Sequence, residues 1–444
     1  MIMSQHPRRA TLGALVCLAV CTGTAFAVPA LAGDAILYVD KGAASCSDSG
    51  PGSASRPFCT LAKSAAVAKP GTTVLVRGGT YTEQLTPKVS GIAGSPVTFQ
   101  AAPGENVVLQ GAGAYGVYVS GRSYVSIRGF NVTGTVDIGI YVKGSDHVIV
   151  DGNHVSYAGQ PVNGYTARGI TMNTTVDSVI RGNLVDHNSD SGIYVGTGST
   201  RDTVIANETT ANARGYTRAA PGIDIRAVGN SVLANRSYAN EDSGIQIRTG
   251  GDQSLVVGNV VWRNGDHGID VLQAPGCRII GNTAYLNTTA GINDEGDAPG
   301  STGAVILNNI SVENGINSPR TEGQIRVDKS STDGTVVDGN LVYQSSPGYL
   351  MQWGATKFTS LAAFQAGSGQ EAHGIQAAPQ FVDAANNNFR LAAGSPAIDS
   401  ANSGADGTFL VDLTGQARVD DPAVANTGLG ARSFDDRGAY ERNP

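Results

Sequence analysis

Apolar and polar residues alternate in short bursts along most of the chain, and one burst, of the type Gly-Ile-x-Val, keeps returning. It starts at Gly116, Gly139, Gly169, Gly192, Gly222, Gly244, Gly268 and Gly291, in steps of 23, 30, 23, 30, 22, 24 and 23 residues. Alternation over three to five residues describes a short strand, because successive side chains point to opposite faces. Between these bursts lies a second one, apolar-apolar-x-Asn, which includes Asn153, Asn183, Asn207, Asn235, Asn259, Asn282, Asn309 and Asn340. A further column includes Asn188, Asn212, Asn240, Asn264 and Asn287. Three short strands and three turns fill about 22–25 residues, and a fixed period of that size marks a solenoid. The pattern therefore predicts an all-β chain, a parallel β-helix with three-strand coils of about 23 residues. Ile140, Ile170, Ile193, Ile223, Ile245, Ile269 and Ile292 should form one inward column, buried only because neighbouring coils stack. The asparagines should take the left-handed conformation in tight turns, each amide bonding to the asparagine of the next coil. A helical fold does not suit so much Gly, Asn and β-branched residue.

Open strand edges need covering at both ends. Leu61 to Lys69 reads as a short helix capping the first coil, and Ser360 to Gln365 as another short helix. The tail from Gly394 to Glu441 loses the period and reads as a C-terminal cap. By length, 444 residues could hold two or three domains,. No linker interrupts the repeat, so residues 33–444 are expected to be a single domain: cap and first coils to 110, regular coils over 111–345, and C-terminal coils and cap beyond. With 59 glycines, 6% aromatic and 15% charged residues, the chain is too apolar for disorder and too glycine-rich for a helical protein. A formal charge of −7 argues against a nucleic-acid partner, although a local basic patch would still suit an acidic polymer.

The first 32 residues read as a signal peptide. Arg8 and Arg9 precede an apolar run from Leu12 to Ala27, and cleavage is expected after Ala30-Leu31-Ala32,. The run is too short for a membrane anchor, and no later stretch could span a bilayer. The mature chain is thus expected outside the cell and off the membrane. In that oxidising setting Cys46 and Cys59, which flank a Ser/Gly/Pro loop, should pair. Cys277 precedes an apolar run and reads as a buried thiol.

Pro57-Phe58-Cys59-Thr60-Leu61 followed by Gly78-Gly79-Thr80-Tyr81 is similar to the start of many bacterial members of the pectate-lyase-like superfamily. Asp412-Leu413-Thr414-Gly415-Gln416-Ala417-Arg418, with Asp436-Arg437-Gly438-Ala439-Tyr440-Glu441, resembles a common C-terminal module of secreted β-helix proteins. The resemblance covers roughly residues 34–444 and implies a right-handed helix. It leaves activity open, since the superfamily holds lyases, hydrolases, epimerases and non-catalytic proteins.

Registering the repeats predicts columns on the outer face. The x of Gly-Ile-x-Val reads Tyr118, Tyr141, Thr171, Tyr194, Asp224, Gln246, Asp270, Asn293. Two residues on it reads Ser120, Lys143, Asn173, Gly196, Arg226, Arg248, Leu272, Glu295. Two before the glycine it reads Asp137, Ala167, Asp190, Ala220, Asp242, Asp266, Thr289. With coils about 4.8 Å apart, Asp224, Arg226, Asp242, Arg248, Asp266, His267 and Asp270 should share one exposed patch. Tyr118, Tyr141 and Tyr194 should lead into it, with Lys143 beside them. The two longer coils, around Tyr165 and around Tyr216 and Arg218, should wall a groove there. Asp before Gly is also ordinary turn chemistry. Carboxylates in mid-strand, as at Asp224 and Asp270, are disfavoured and less easily explained that way. His154 and His187 read as structural.

Three functions fit these residues. In the first, Asp242, Asp266 and Asp270 bind Ca²⁺, which neutralises a uronate carboxylate. A basic group among Arg248, Arg226, Lys329 and Lys143 then takes the C5 proton, and β-elimination cuts the chain. Asp266-His267-Gly268-Ile269-Asp270 resembles the Asp-Asp-Gly-x-Asp calcium segment of family nine pectate lyases, with His267 in place of the second Asp. In the second, Asp224, Asp242, Asp266 and Asp270 supply the acid and base of a glycoside hydrolase. In the third, the face binds glycan or cell wall without turnover. The leading expectation is a monomeric polysaccharide lyase on an acidic, uronate-containing glycan, with Asp224 and His267 catalytic beside the arginines and Tyr194, Tyr165, Tyr216, Arg218 and Lys143 holding substrate.

Overall fold

The computed structural model describes residues 35–444 except 112, 160–166, 214–219, 319 and 409. The expected signal peptide lies outside the described residues, as do Tyr165, Tyr216 and Arg218.

Short strands stack into three long sheets of 12, 12 and 11 strands, one strand per coil in each. The first sheet runs from Ile36–Val39 to Val336–Asp338, and the second from Gly79–Tyr81 to Ile375–Gln376. The third starts at Val117–Ser120 and carries the Gly-Ile-x-Val bursts. It ends in an antiparallel hairpin, Met351–Trp353 with Thr356–Phe358. All other pairings within these sheets are parallel, which makes the chain a right-handed parallel β-helix. Ile140, Ile170, Ile193, Ile223, Ile245, Ile269 and Ile292 stand in register as one fully buried column, as the repeat predicts. The motif glycine is required by close approach. A Cβ on Gly169 would stand 2.3 Å from Val185 Cγ1 and 2.6 Å from the Gly192 carbonyl.

The asparagines form ladders inside the turns. From Asn153 to Asn340, each Nδ2 donates to the Oδ1 of the next asparagine at 2.9–3.0 Å. Glu371 closes this ladder, accepting from Asn340 Nδ2 at 2.7 Å. A second ladder runs from Asn188 through Asn287 to Asn314 and ends on Gln324. The left-handed residue is not the asparagine, as expected from sequence, but the one before it: Ala206, Ala234, His187, Ala211 and Ala239 all have φ between 51° and 54°. That residue turns the chain, and the asparagine that follows points inward to satisfy backbone groups the corner would otherwise leave bare.

Helix Leu61–Val67 starts at Thr60, whose hydroxyl accepts from Lys63 N at 3.2 Å, and its Leu61 and Ala65 close the first coil beside Val39 and Phe58. Cys46 and Cys59 beside it form a disulfide with Cα atoms 5.1 Å apart. At the other end, helix Leu361–Ser368 is capped by Ser360 and packs Phe364 against Trp353 and Phe358. The chain after Pro379 lies along the second sheet. Phe389, Leu413, Ala439 and Tyr440 cover Val260 and Trp262 there, and Arg437 donates to the Asn340 and His373 carbonyls. Cys277 is a buried thiol, pushed up to about 12 by burial. Among the described residues no helix is long and apolar enough to cross a membrane.

Candidate active site on the third sheet

The outward column of the third sheet has the predicted register. Tyr118 stands opposite Tyr141, then Thr171, Tyr194, Asp224, Gln246, Asp270 and Asn293 follow, one per coil. Sequence extended the column no further, yet it continues to Arg326. The four central polar residues are not exposed as expected. Asp224, Gln246, Asp270 and Asn293 are all buried, because their neighbours in the column lie over them.

Asp224 is taken up by Arg226, two residues along the same strand, through bonds at 2.8 and 3.1 Å. Burial opposes the charge on Arg226, but Asp224 holds its pKa above the usual value. A guanidinium held so firmly in its charged form does not fit the expected role of base. Arg226 also lies 5.5 Å from the ring of Tyr194, and Arg168 covers that ring at 3.9 Å while pairing with Asp190 at 3.2 Å. Arg248, one coil on and half-buried, makes no ion pair among the described residues. Its charge is felt by Asp224. Lys143 is exposed in register with Ser120 and Asn173. Lys329 lies exposed beyond strand Ile325–Val327 and outside this cluster.

Asp242, Asp266, His267 and Asp270 do come together, but buried at 5%, 4%, 1% and 2% exposure rather than open to a groove. Asp266 accepts from Thr289 Oγ1 at 2.7 Å and from Arg320 at 2.9 Å. Burial works against its charge, yet His267, Thr289 and Arg320 together keep its pKa below the usual value. Asp270 accepts from Gln246 at 2.6 Å and Asn293 at 2.8 Å, and Arg326 in turn donates to Asn293 and Glu295. Burial raises the Asp270 pKa even so. His267 donates to or accepts from Thr321 through Nε2 at 2.9 Å. Its Nδ1 lies 3.5 Å from Asp266 and 3.9 Å from Asp270 without a hydrogen bond. His267 is therefore a packed side chain beneath the segment carrying Arg320 and Thr321, not a surface base.

Asp242 differs from the others. Its Oδ1 accepts from Ser243 N at 2.8 Å and from the Ser243 hydroxyl, and its Oδ2 has no hydrogen bond among the described residues. Burial first, then the charges of Asp266, Asp270 and Glu241, push the Asp242 carboxyl up to about 7. Asp242, Gln246 and Arg248 belong to one coil, so that coil carries both an acid poised near neutrality and a cation without a counter-ion among the described residues.

Calcium at Asp242, Asp266 and Asp270 would need several free carboxylate oxygens. Here Arg320, Thr289, Gln246 and Asn293 already donate to the last two. Among the described residues no group of three or more His, Cys, Asp or Glu side chains is set to hold a metal. The donor set does not fit Ca²⁺. Arg320, Thr321 and Arg326 escaped the sequence reading because their coil departs from the repeat. It steps 33 residues, from Gly291 to Gln324, and carries Gln-Ile-Arg-Val in place of Gly-Ile-x-Val.

Residues 37–162 match the family described as a Pel9A-like, right handed beta helix region, and residues 168–359 match the right handed beta helix region family. The uncharacterized protein YwoF of Bacillus subtilis (strain 168) is 25% identical, across 79% of this chain and 90% of its own. The structure of pectate lyase Pel9A superposes with a TM-score of 0.56 at 18% identity, covering 92% of this chain and 97% of that one. The A-module of mannuronan C-5 epimerase AlgE6 from Azotobacter vinelandii gives 0.50 at 17% identity, covering 71% and 92%. Identities this low show a shared fold.

Proposed function

We propose that this chain, which belongs to the pectate-lyase-like superfamily of right-handed parallel β-helices, is a secreted lyase that cuts a uronate-containing polysaccharide by β-elimination. The observation that carries the reading is the coil holding both Asp242 and Arg248: a carboxyl at about 7 with one oxygen outside any hydrogen bond among the described residues and, on the strand that follows it, a guanidinium with no ion pair among the described residues. Arg248 can take the substrate carboxylate in its planar fork. Neutralising that carboxylate makes the neighbouring C5 proton more acidic. Ionised Asp242 then removes the proton, which a base with a pKa near the working pH does best. The C5–H electron pair becomes the C4=C5 double bond, the C4–O4 bond breaks, and the departing oxygen takes the proton back from Asp242. Asp266 and Asp270, fixed by their donors, serve to keep the Asp242 pKa high. Solved relatives of this fold named as a pectate lyase and a mannuronan C-5 epimerase support a polysaccharide as the substrate class.

One observation favours a second reading. Asp242 and Asp266 sit on adjacent coils with their pKa values displaced in opposite directions. Such a split between two carboxyls is the condition for a protonated acid working beside an ionised partner in glycoside hydrolysis. Incubation of the mature protein with a panel of acidic polysaccharides separates the two. The lyase reading expects the ultraviolet absorbance of an unsaturated uronate end, undiminished by a chelator and lost in Asp242→Asn. New reducing ends without that absorbance would transfer the same carboxyls to hydrolysis. Retention of glycan with neither signal would leave a binding protein.

A further inference from the structure

The third sheet carries a second feature that the chemistry at Asp242 does not use. Tyr115, Tyr118 and Tyr141 cluster with ring centroids 5.1, 5.2 and 5.5 Å apart. All three are half-buried and none belongs to the hydrophobic core. Their one side-chain hydrogen bond among the described residues is from Asn173 to the Tyr141 hydroxyl at 3.3 Å. Lys143 stands exposed two residues beyond Tyr141 and makes no ion pair among the described residues. Half-exposed rings grouped in this way cost hydration without contributing to the core, and amphipathic tyrosines with one free face are typical of recognition surfaces.

We infer that Tyr115, Tyr118 and Tyr141 form a distal subsite that stacks a sugar ring of the same glycan chain while Lys143 pairs with its carboxylate. The inference rests on the glycan reading of the Asp242 rung but not on the reaction there. Two observations select the occupant. The tyrosines continue the same outward column, four and five coils from Gln246 by the strand register. At ~4.8 Å per coil that is about 19 to 24 Å, a span that an extended polysaccharide of several units covers and a short oligomer does not. The charge is also complementary at the two ends: Lys143 and Arg248 make no ion pair among the described residues, while Arg168 and Arg226, paired with Asp190 and Asp224, flank the ring of Tyr194 between them. An acidic chain lying along the solenoid axis would meet ring platforms with an opposite charge at either end, which points to internal attack on long polymers.

The test is calorimetric binding of size-fractionated oligogalacturonates and oligoalginates to the mature Asp242→Asn protein, so that no probe is consumed. Affinity for one uronate series should climb with length once the probe spans the two sites. Tyr118→Ala and Tyr141→Ala should each weaken the long probes by roughly three- to tenfold, while Tyr141→Phe retains the gain. Lys143→Ala, an exposed change that leaves packing intact, should lower the affinity and its salt dependence, and it carries the test if a tyrosine variant fails to fold. Length-independent binding, long-probe affinity indifferent to these changes, or no binding to either series would overturn the subsite. So would self-association abolished by Tyr118→Ala with oligosaccharide binding untouched, which would assign the rings to a second copy of the chain. Tyrosine-dependent binding by a protein without β-elimination would sink the lyase reading and keep the subsite.

Discussion

Asp294 occupies a position the repeat reserves for an apolar residue. It stands in register between Val271 and Val327 on the inner face of the third sheet, is completely buried, and neither carboxyl oxygen has a hydrogen-bond partner among the described residues. Burial, reinforced by the charges of Asp328, Asp270 and Glu295, raises its pKa well above the usual value. That shift favours the protonated side chain, and leaving its polar atoms unpaired costs about 1–3 kcal/mol. Asp294→Val removes that cost and restores the branched apolar surface of the column. The expected gain near pH 4 is about 2–3 kcal/mol. It should also change the pH dependence. The folded state holds a proton that the unfolded chain, with a pKa near 3.8, releases first. The contribution of Asp294 is therefore fully present below the unfolded pKa and declines as pH rises toward the folded one, by about 1.4 kcal/mol per unit. Asp294→Val should gain most over wild type at pH 8 and least at pH 4. Asp294→Asn should flatten the pH dependence without the apolar gain. Denaturant unfolding followed by the fluorescence of Trp262 and Trp353 reads all three proteins. A valine variant less stable than wild type at pH 8 would mean that Asp294 holds a partner in the core, and the reasoning would fail.

The ladders and the first coil give further expectations. Asn259→Ala removes an amide that donates to Val232 O and Asn282 Oδ1 and accepts from Asn235 N and Nδ2, so thermal melting should show a loss of at least about 2 kcal/mol. Glu371, pushed up to about 7 chiefly by burial, should make the last coils more stable at pH 5 than at pH 8,; in Glu371→Gln, hydrogen exchange over residues 336–343 should lose that pH difference. Reducing the Cys46–Cys59 bridge releases a loop of 13 residues and should cost about 3 kcal/mol, read as earlier melting in the presence of reductant.

Sequence disclosed the solenoid because a stacked coil repeats its constraints. Each Ile must face inward and each motif glycine must admit the next strand, so register could be counted from Gly116 to Gly291. The same counting placed Asp224, Gln246 and Asp270 in one column. Exposure could not be counted. Whether an outward Asp is open depends on what lies over it, and for Asp266 and His267 that is Arg320 and Thr321, from a coil whose Gln324 breaks the motif. Nor could composition distinguish a carboxylate free for a metal from one already bonded, since Gln246 and Asn293 bond to Asp270 only through register across coils. The usual preference of asparagine for the left-handed conformation puts the corner on the asparagine. The ladder instead holds the asparagine inward and passes the strain to residues such as Ala206 and Ala234. Asp294 was visible as the last letter of Gly-Ile-Asn-Asp, but a column that reads valine on either side gave no reason to expect a bare acid.

In the proposed reaction, ionised Asp242 takes a proton from a uronate held by Arg248. The pH dependence of kcat/KM on the acidic polysaccharide that serves as substrate tests it most directly, because that profile reports groups in the free enzyme. With a carboxyl at about 7, the rate should rise through neutrality and then level, accompanied by unsaturated product that Asp242→Asn does not make. A rate that falls through the same range, with reducing ends and no unsaturated product, would show that Asp242 must be protonated and would contradict β-elimination.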